Sequence, residues 1–186
     1  MKIVAMVGSN RSDSYNMQLA TFMQKRYAQK VEIEILPINK LPFYNQDDEL
    51  NPPEIVKEIR NKIKESDGIL FVTPEYNASI PGVLKNAIDW FSRVEKVMVN
   101  KPAMIVGASM GALGTVKAQL QLRQILNSQG VSTLTLPGNE VYVGSVHEKI
   151  DENGNLIDES TIQFIDTVVD NFMNWIEKVV IYASAY

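Results

Sequence analysis

The sequence of 186 residues is first informative for what it lacks, because it has no cysteine, one histidine and only 8% aromatic residues. The absence of cysteine excludes disulfides, thiolate metal sites and cysteine nucleophiles, and it fits a reducing compartment. No hydrophobic run is long enough to cross a membrane, and the short apolar start turns polar too soon for a signal peptide. We therefore expect a cytoplasmic protein that does not bind a membrane.

The charge of the chain excludes further functions. The formal net charge is −4 and the isoelectric point is about 5.1, so the surface is not suited to holding nucleic acid. The acidic segment 47–49 has no histidine and no regular carboxylate spacing beside it, and we predict no metal site there. With 45% hydrophobic and 22% charged residues, the composition is that of a globular protein.

Short β-branched runs alternate with longer segments of helical periodicity, which is typical of α/β proteins. No linker, repeat or low-complexity segment divides the chain, so we expect one domain over residues 1–186. The order of elements predicts a five-stranded parallel sheet with helices on both faces. The predicted strands are 3–7, 31–36, 68–73, 103–106 and 131–136, and the predicted helices are 16–29, 54–65, 82–94, 112–127 and about 159–180.

Two further patterns concern the end of the chain. The Asn153–Gly154 pair favours a tight hairpin turn. The last predicted helix carries a single apolar stripe, which indicates that one of its faces packs on the core. The stripe consists of Ile162, Ile165, Val169, Phe172, Met173, Ile176 and Val180.

Ligands of parallel sheets bind beyond the carboxyl ends of the strands, so the loops after the first, third and fourth strands are the candidates for a site. The first loop reads GSNRSDSYN over residues 8–16 and precedes a helix. Free N–H groups at a helix N-terminus favour an anion, and hydroxyls and Arg11 add directed donors. The loop matches neither GxxxxGK[ST] nor GxGxxG, so a single terminal phosphate fits best. The alternative is an ordinary capped turn.

The second loop reads TPEYNASIPG over residues 73–82. Its two prolines stiffen a segment that displays Tyr76 and Asn77. A rigid loop with outward-pointing backbone groups suits the edge of a planar heterocycle, and an aromatic side chain is available for stacking. The alternative for this loop is a rigid connector without a ligand.

The third loop reads GASMGALG over residues 107–114, and its three glycines let the backbone approach a ligand closely. It also matches G-x-S-x-G, the nucleophile elbow of serine hydrolases, and Glu140 and His147 follow Ser109 in the order of a triad. A hydrolase that uses Ser109 is therefore an alternative. It is disfavoured because the sheet is small and no HGG-like oxyanion segment is present.

With these loops, the sequence resembles the NAD(P)H-dependent FMN reductases, a family of flavodoxin-like fold that includes azo-, quinone- and chromate-reducing flavoproteins. The resemblance extends from the first strand to the last helix, and the second loop with its helix is its most specific part. The matching positions are Gly8, Ser9, Arg11, Ser14, Asn16 and Leu19; Pro74, Glu75, Tyr76, Asn77, Ser79, Pro81, Gly82, Leu84, Lys85, Asn86, Ala87, Asp89 and Trp90; and Gly107, Ser109, Gly111 and Gly114.

The resemblance implies a flavodoxin-like three-layer sandwich that binds FMN. The first loop would hold the phosphate, the second would border the isoalloxazine ring, and the third would line the other side of the ring. The implied cofactor-binding residues are Ser9, Arg11, Ser14, Tyr15 and Asn16 in the first loop, Pro74, Glu75, Tyr76 and Asn77 in the second, and Ser109, Met110 and Gly111 in the third.

The implied reaction follows a ping-pong order. NADH or NADPH stacks on the flavin, delivers hydride to N5 and leaves, and a small electron acceptor such as a flavin, quinone or azo compound takes its place. No acid–base residue is implied, because the chemistry belongs to the cofactor. A flavodoxin-type electron carrier without a nicotinamide site is the second alternative, and Arg11 disfavours it because flavodoxins carry a Ser/Thr-rich phosphate loop.

We also expect self-association. On the fourth predicted helix, Leu113, Val116 and Leu120 form one apolar face, and a second apolar face lies apart from it. One face can cover the sheet, whereas the other needs a different partner. The third predicted helix carries a broad apolar arc as well, and members of the resembling family are commonly dimers or tetramers. The second face consists of Ala118, Leu122, Ile125 and Leu126.

Overall fold

The computed structural model describes residues 1–184, and their side chains as far as residue 179. Within this range the chain forms six strands and five α-helices, joined by loops with three short 3₁₀ turns. The strands are β1 (Lys2–Val7), β2 (Glu32–Ile35), β3 (Gly68–Val72), β4 (Pro102–Ala108), β5 (Leu134–Thr135) and β6 (Val141–Val143). The helices are α1 (Tyr15–Arg26), α2 (Glu54–Glu65), α3 (Gly82–Phe91), α4 (Val116–Leu126) and α5 (Glu159–Ser184).

All strand pairings are parallel, and the strand order is β2-β1-β3-β4-β5 with β6 also paired to β4. The predicted parallel sheet is confirmed, but six strands replace the five expected. β5 pairs with the start of β4 and β6 pairs with its end, so the two short strands follow one another in the same sheet position. Pro137 and Gly138 separate them, because Pro137 has no N–H to donate and Gly138 adopts a positive φ of 60°.

Alternation along the strands divides the core into two halves and confirms the three-layer sandwich. Residues Ile3, Ala5 and Val7 of β1 pack under α1 and α5, whereas Val4 and Met6 pack under α2, α3 and α4. The predicted stripe of α5 is buried at Ile162, Ile165, Val169, Phe172 and Ile176 and half-buried at Met173, while the side chain of Val180 lies outside the described residues.

The wide apolar arc of α3 is satisfied within the chain. Trp90 is buried, its indole N–H donates to the carbonyl of Pro42 at 2.9 Å, and the ring of Tyr44 meets it edge-on at 5.2 Å. Asn86 also accepts the N–H of Tyr44 at 2.7 Å. The arc therefore covers both the sheet and the loop after β2, and α3 gives no support for the expected self-association.

Helix ends differ from the predicted bounds where capping decides them. Ser14 caps α1, since its side chain accepts the N–H of Met17 at 3.3 Å. α4 begins at Val116 instead of residue 112, because Gly114 has a φ of 63° and packs against the backbone of Tyr142. Around the predicted turn at Asn153–Gly154, a single bridge between Ile150 and Leu156 closes the loop, rather than two paired strands.

Within residues 1–184, the structure contains no helix that is both long and apolar enough to cross a membrane.

Candidate flavin site

The three loops identified in the sequence follow β1, β3 and β4, which are neighbours in the sheet, and they meet at its carboxyl edge. Together they line a cavity of about 220 Å³. Asn77 and Gly111 lie outside this lining, and Ala108 is the one lining residue that the sequence did not nominate. The nominated residues that line it are Ser9, Arg11, Ser14, Tyr15, Asn16, Pro74, Glu75, Tyr76, Ser109 and Met110.

The first loop presents unused hydrogen-bond donors to the cavity. Among residues 1–184, the backbone N–H groups of Tyr15 and Asn16 have no acceptor, because they belong to the first turn of α1. The Ser14 hydroxyl caps Met17 and can still donate its own hydrogen. These groups surround a helix N-terminus, where the dipole favours an anion.

Arg11 supplies the positive charge at this end of the cavity. Its side chain is exposed, and among the described residues its guanidinium donates only to the carbonyl of Asp13, at 3.3 Å. In the described part of the chain no carboxylate lies within ion-pair distance of it. The donor set of this loop therefore fits the phosphate of FMN, which would satisfy both the free N–H groups and the guanidinium.

The side chain of Asn16 is already hydrogen-bonded within the protein. It is buried, its Nδ2 donates to the carbonyl of Ala108 and its Oδ1 accepts the N–H of Ala108, both at 2.9 Å. This reciprocal pair fastens the start of α1 to the end of β4. The side chain thus joins the first and third loops, a role that sequence spacing does not reveal.

The second loop reverses direction over two residues. The N–H groups of Tyr76 and Ser79 each donate to the other's carbonyl at 3.0 Å, and both Asn77 and Ala78, which lie between them, have positive φ, at 52° and 60°. These are the marks of a type I′ turn, which Asn favours and Ala does not. The turn projects Tyr76 into solvent with 46% of its surface exposed, and it places Asn77 at the tip. Behind the turn, Glu75 accepts the backbone N–H groups of Lys117 and Ala118.

The third loop is held by its neighbours in the sheet. The Ser109 hydroxyl accepts the N–H of Gly111 at 3.1 Å, the Ser109 N–H donates to Val143 at 2.9 Å, and the Val146 N–H donates back to Ser109 at 3.1 Å. A Cβ at Gly107 would lie 2.0 Å from the Thr115 hydroxyl and 2.4 Å from the Thr73 carbonyl. Only glycine allows β3 and the third loop to pack this closely.

Tyr142 of β6 lies beside this loop. Burial, and after it the carboxylate of Glu140, raises the pKa of Tyr142 to about 12. The phenol of Tyr142 is therefore neutral at physiological pH. Its backbone packs against Gly114, so this residue supports the third loop and is not part of the cavity lining.

The structure does not assemble a hydrolase triad from the described residues. The Ser109 hydroxyl accepts the Gly111 N–H, Glu140 faces Arg123 at 3.7 Å, and His147 faces Glu148 at 3.7 Å. Six residues, 110–115, also separate Ser109 from the start of α4, whereas an elbow turns directly from strand to helix. The match to G-x-S-x-G therefore reflects the glycine requirement of this loop.

Two other cavities help to define the site. One of about 280 Å³ shares Arg11 and Tyr76 with the first and reaches Gly82 at the start of α3, so it extends the candidate site. A more open depression of about 480 Å³ lies over β5 near Arg123 and Trp175, away from the three loops. The smaller cavity at the carboxyl edge is the one that joins the phosphate donors to the ring loops.

A parallel sheet of this order, with free N–H donors at a helix N-terminus and two further loops at its carboxyl edge, is typical of the class of flavodoxin-like FMN proteins. The family described as NADPH-dependent FMN reductase matches residues 1–148, and the chain belongs to this family. It is an NAD(P)H-dependent oxidoreductase with FMN as its cofactor and NADH or NADPH as its co-substrate.

Relatives of known name support this placement. The chain is 43% identical over 183 residues to the NADH-dependent flavin reductase subunit 2 of Lactobacillus johnsonii, covering 96% of this chain and 98% of the relative. It is 39% identical to a 2-hydroxy-1,4-benzoquinone reductase of a Burkholderia species, over 95% and 96% of the two chains. The solved structure of FerB, an NAD(P)H:(acceptor) oxidoreductase of Paracoccus denitrificans, superposes with a TM-score of 0.86 at 39% identity and covers 95% of this chain and 97% of FerB.

Proposed function

We propose that this protein transfers electrons from NADH or NADPH through bound FMN to small planar acceptors, with flavins and quinones as the first candidates, in a ping-pong order. The observation that carries the proposal is the cavity of about 220 Å³ that joins unused phosphate donors to two rigid loops. Relatives named as flavin and quinone reductases support the choice of acceptors. We further propose that residues 1–186 form one domain and act in the cytoplasm, where nicotinamide cofactors are available.

Bound FMN would supply hydride acceptance and electron transfer. The protein would contribute binding and orientation. Arg11, Ser9 and Ser14 would bind the phosphate together with the free N–H groups of α1. The backbone of loops 74–77 and 109–111 would orient the ring. Tyr76 and Met110 are exposed at the rim, which leaves one side of the site open for the nicotinamide and the acceptor in turn.

The visible spectrum of the purified protein tests this proposal. We expect roughly one FMN per chain, loss of its visible absorbance on anaerobic addition of NADH or NADPH, and recovery of that absorbance when a quinone is added. Steady-state rates should give parallel double-reciprocal lines. A colourless protein that takes up no FMN and hydrolyses nitrophenyl esters would contradict the proposal and favour the hydrolase. FMN that is bound but not reduced by either nicotinamide would favour the electron carrier.

We propose that the protein self-associates through α4. The face of Ala118, Leu122 and Leu126 is buried against the sheet, whereas Leu113 is 72% and Leu120 is 51% exposed. Leu120 lies on α4 and Leu113 in the loop just before it, and apolar side chains that remain exposed in one region indicate a contact with a second copy.

Sedimentation at micromolar concentration tests this contact. We expect a mass of at least twice the chain mass of 20.9 kDa. Leu120→Glu should reduce it to that of one chain, because a charge would be buried in the contact. Leu50→Glu is the matched control, since Leu50 is 85% exposed in another loop and its replacement should leave the mass unchanged. A wild-type mass of one chain would contradict the proposal.

A further inference from the structure

Glu75 belongs to the second loop, but its carboxylate bonds to a helix that is distant in the sequence. Its Oε2 accepts the backbone N–H of Lys117 at 2.9 Å and that of Ala118 at 3.1 Å, across a separation of 42 and 43 residues. These are first-turn N–H groups of α4, which have no partner within the helix. Thr115, at the N-cap position of α4, makes no side-chain capping bond, so Glu75 provides the cap from outside.

A second contact fastens the other end of the same loop to the same helix. The side-chain oxygen of Gln121 accepts the Ser79 hydroxyl at 2.5 Å and the Ile80 N–H at 3.3 Å. Gln121 lies one turn beyond the N–H groups that Glu75 caps. The Tyr76–Ser79 turn lies between the two attachments, so both ends of this turn are bonded to α4.

The negative charge of Glu75 also suits this position at the start of α4. A carboxylate at a helix N-terminus is stabilised by the helix dipole, and its hydrogen bonds to N–H groups are charge-assisted. Both bonds end on one oxygen, so the neutral side-chain oxygen of glutamine could accept the same two N–H groups. An alanine could accept neither. The two replacements therefore separate hydrogen-bond geometry from charge.

We propose that Glu75 is a positioning residue for the flavin ring, which acts by capping α4 and so fixes the backbone of Pro74 to Tyr76. This inference rests on the proposed function, in which that backbone borders the ring. Glu75 holds the ring loop at one distance from the third loop, because α4 follows the third loop directly. The carboxylate itself does not take part in the redox step.

The first test compares Glu75→Ala with Glu75→Gln in flavin binding. Glu75→Ala should weaken FMN and riboflavin equally, by about 10-fold, since the ring loop is common to both ligands. Glu75→Gln should bind both within about 3-fold of wild type and should keep the visible circular dichroism of the bound flavin. Glu58→Gln, an exposed carboxylate on α2, controls for the loss of one charge. Damage by Glu75→Gln equal to that by Glu75→Ala would overturn the proposal, because the charge would then act directly.

The second test uses the apo-protein and needs no activity. Amide hydrogen exchange at Lys117 and Ala118 should be faster in Glu75→Ala than in wild type and nearly normal in Glu75→Gln. Gln121→Ala should also weaken both flavins while leaving exchange at Lys117 unchanged. Unchanged exchange in Glu75→Ala would overturn the capping role. If the wild type binds no flavin, the proposed function fails, and the exchange result still decides whether Glu75 caps the helix.

Discussion

The two ends of the candidate site use their polar groups in opposite ways. At the phosphate end, the N–H groups of Tyr15 and Asn16 have no acceptor within the described residues, and the Arg11 guanidinium bonds to one carbonyl and to no carboxylate there. At the ring end, Glu75 and Ser109 are already bonded to the backbone of the protein. The comparison indicates that the phosphate is recognised by charge and free donors, whereas the ring is recognised by the shape of loops that the protein has fixed in advance.

Gly107→Ala should have the largest effect, because it disrupts the close packing at the ring end of the site. The added Cβ would collide with Thr115 and with the Thr73 carbonyl, so we expect a loss of about 3–5 kcal/mol in the free energy of unfolding. FMN and riboflavin should both fail to bind. Gly130→Ala is the matched control, since no atom lies within 4 Å of its Cβ position, and urea unfolding of the two variants makes the measurement. Equal stability of the two variants would show that the close packing at Gly107 is not required.

Asn16→Ala should have the second largest effect, because it removes the hydrogen bonds that join the first loop to the third. It leaves the buried N–H and carbonyl of Ala108 without partners, and we expect a loss of about 2–4 kcal/mol in unfolding free energy. Asn61→Ala, at an exposed position on α2, should cost far less. Flavin affinity should fall for FMN and riboflavin together. If only FMN affinity falls and stability is retained, Asn16 binds the phosphate directly.

Arg11→Ala sharpens the comparison at the phosphate end alone. A hydrogen bond to a charged group contributes about 1.5–3 kcal/mol, so the FMN dissociation constant should rise roughly 10- to 100-fold. Riboflavin, which lacks the phosphate, should bind wild type and variant equally, and the stability of the apo-protein should be unchanged because Arg11 is exposed. Fluorescence titrations with both ligands measure this. A parallel loss of both would mean that Arg11 shapes the loop.

Tyr76→Leu should have the smallest effect, since the turn depends on the backbone of Tyr76 and not on its exposed ring. FMN affinity should stay within about 3-fold. An aromatic contact contributes about 0.5–1.5 kcal/mol, so the KM for the nicotinamide or the quinone should rise roughly 2- to 10-fold. Steady-state kinetics with each substrate varied in turn provide the measurement. A large loss of FMN with unchanged KM would place Tyr76 against the cofactor instead.

The elements that depend on local sequence patterns could be predicted from the sequence. β1 and β3 are apolar on both faces, and α2 is found at its predicted bounds because its periodicity is strong. The loops of the site could be located because parallel strands deliver their carboxyl ends to one edge. β6 was not predicted because three residues give too short a pattern. Pro137 and Gly138 interrupt the chain after β5, so the sequence does not indicate that β6 pairs with β4 in the same sheet position.

The roles of individual side chains were harder to predict, because they depend on distant partners. Asn16 bonds to Ala108 and Glu75 bonds to Lys117, and neither separation follows any local period. The type I′ turn was also missed, because Ala78 is an unusual residue at positive φ and only Asn77 carries the signal. Sequence thus identified which residues lie at the site more readily than what each of them holds.

The division of the fifth sheet position between β5 and β6 has a consequence for the order of folding. The third loop takes its shape from Val143 and Val146, and β6 must pair with the end of β4 before those bonds can form. Such non-local pairing is slow compared with the formation of helices. During refolding, FMN binding should therefore return after the far-ultraviolet circular dichroism has recovered, so that the cofactor reports when β6 has paired with β4.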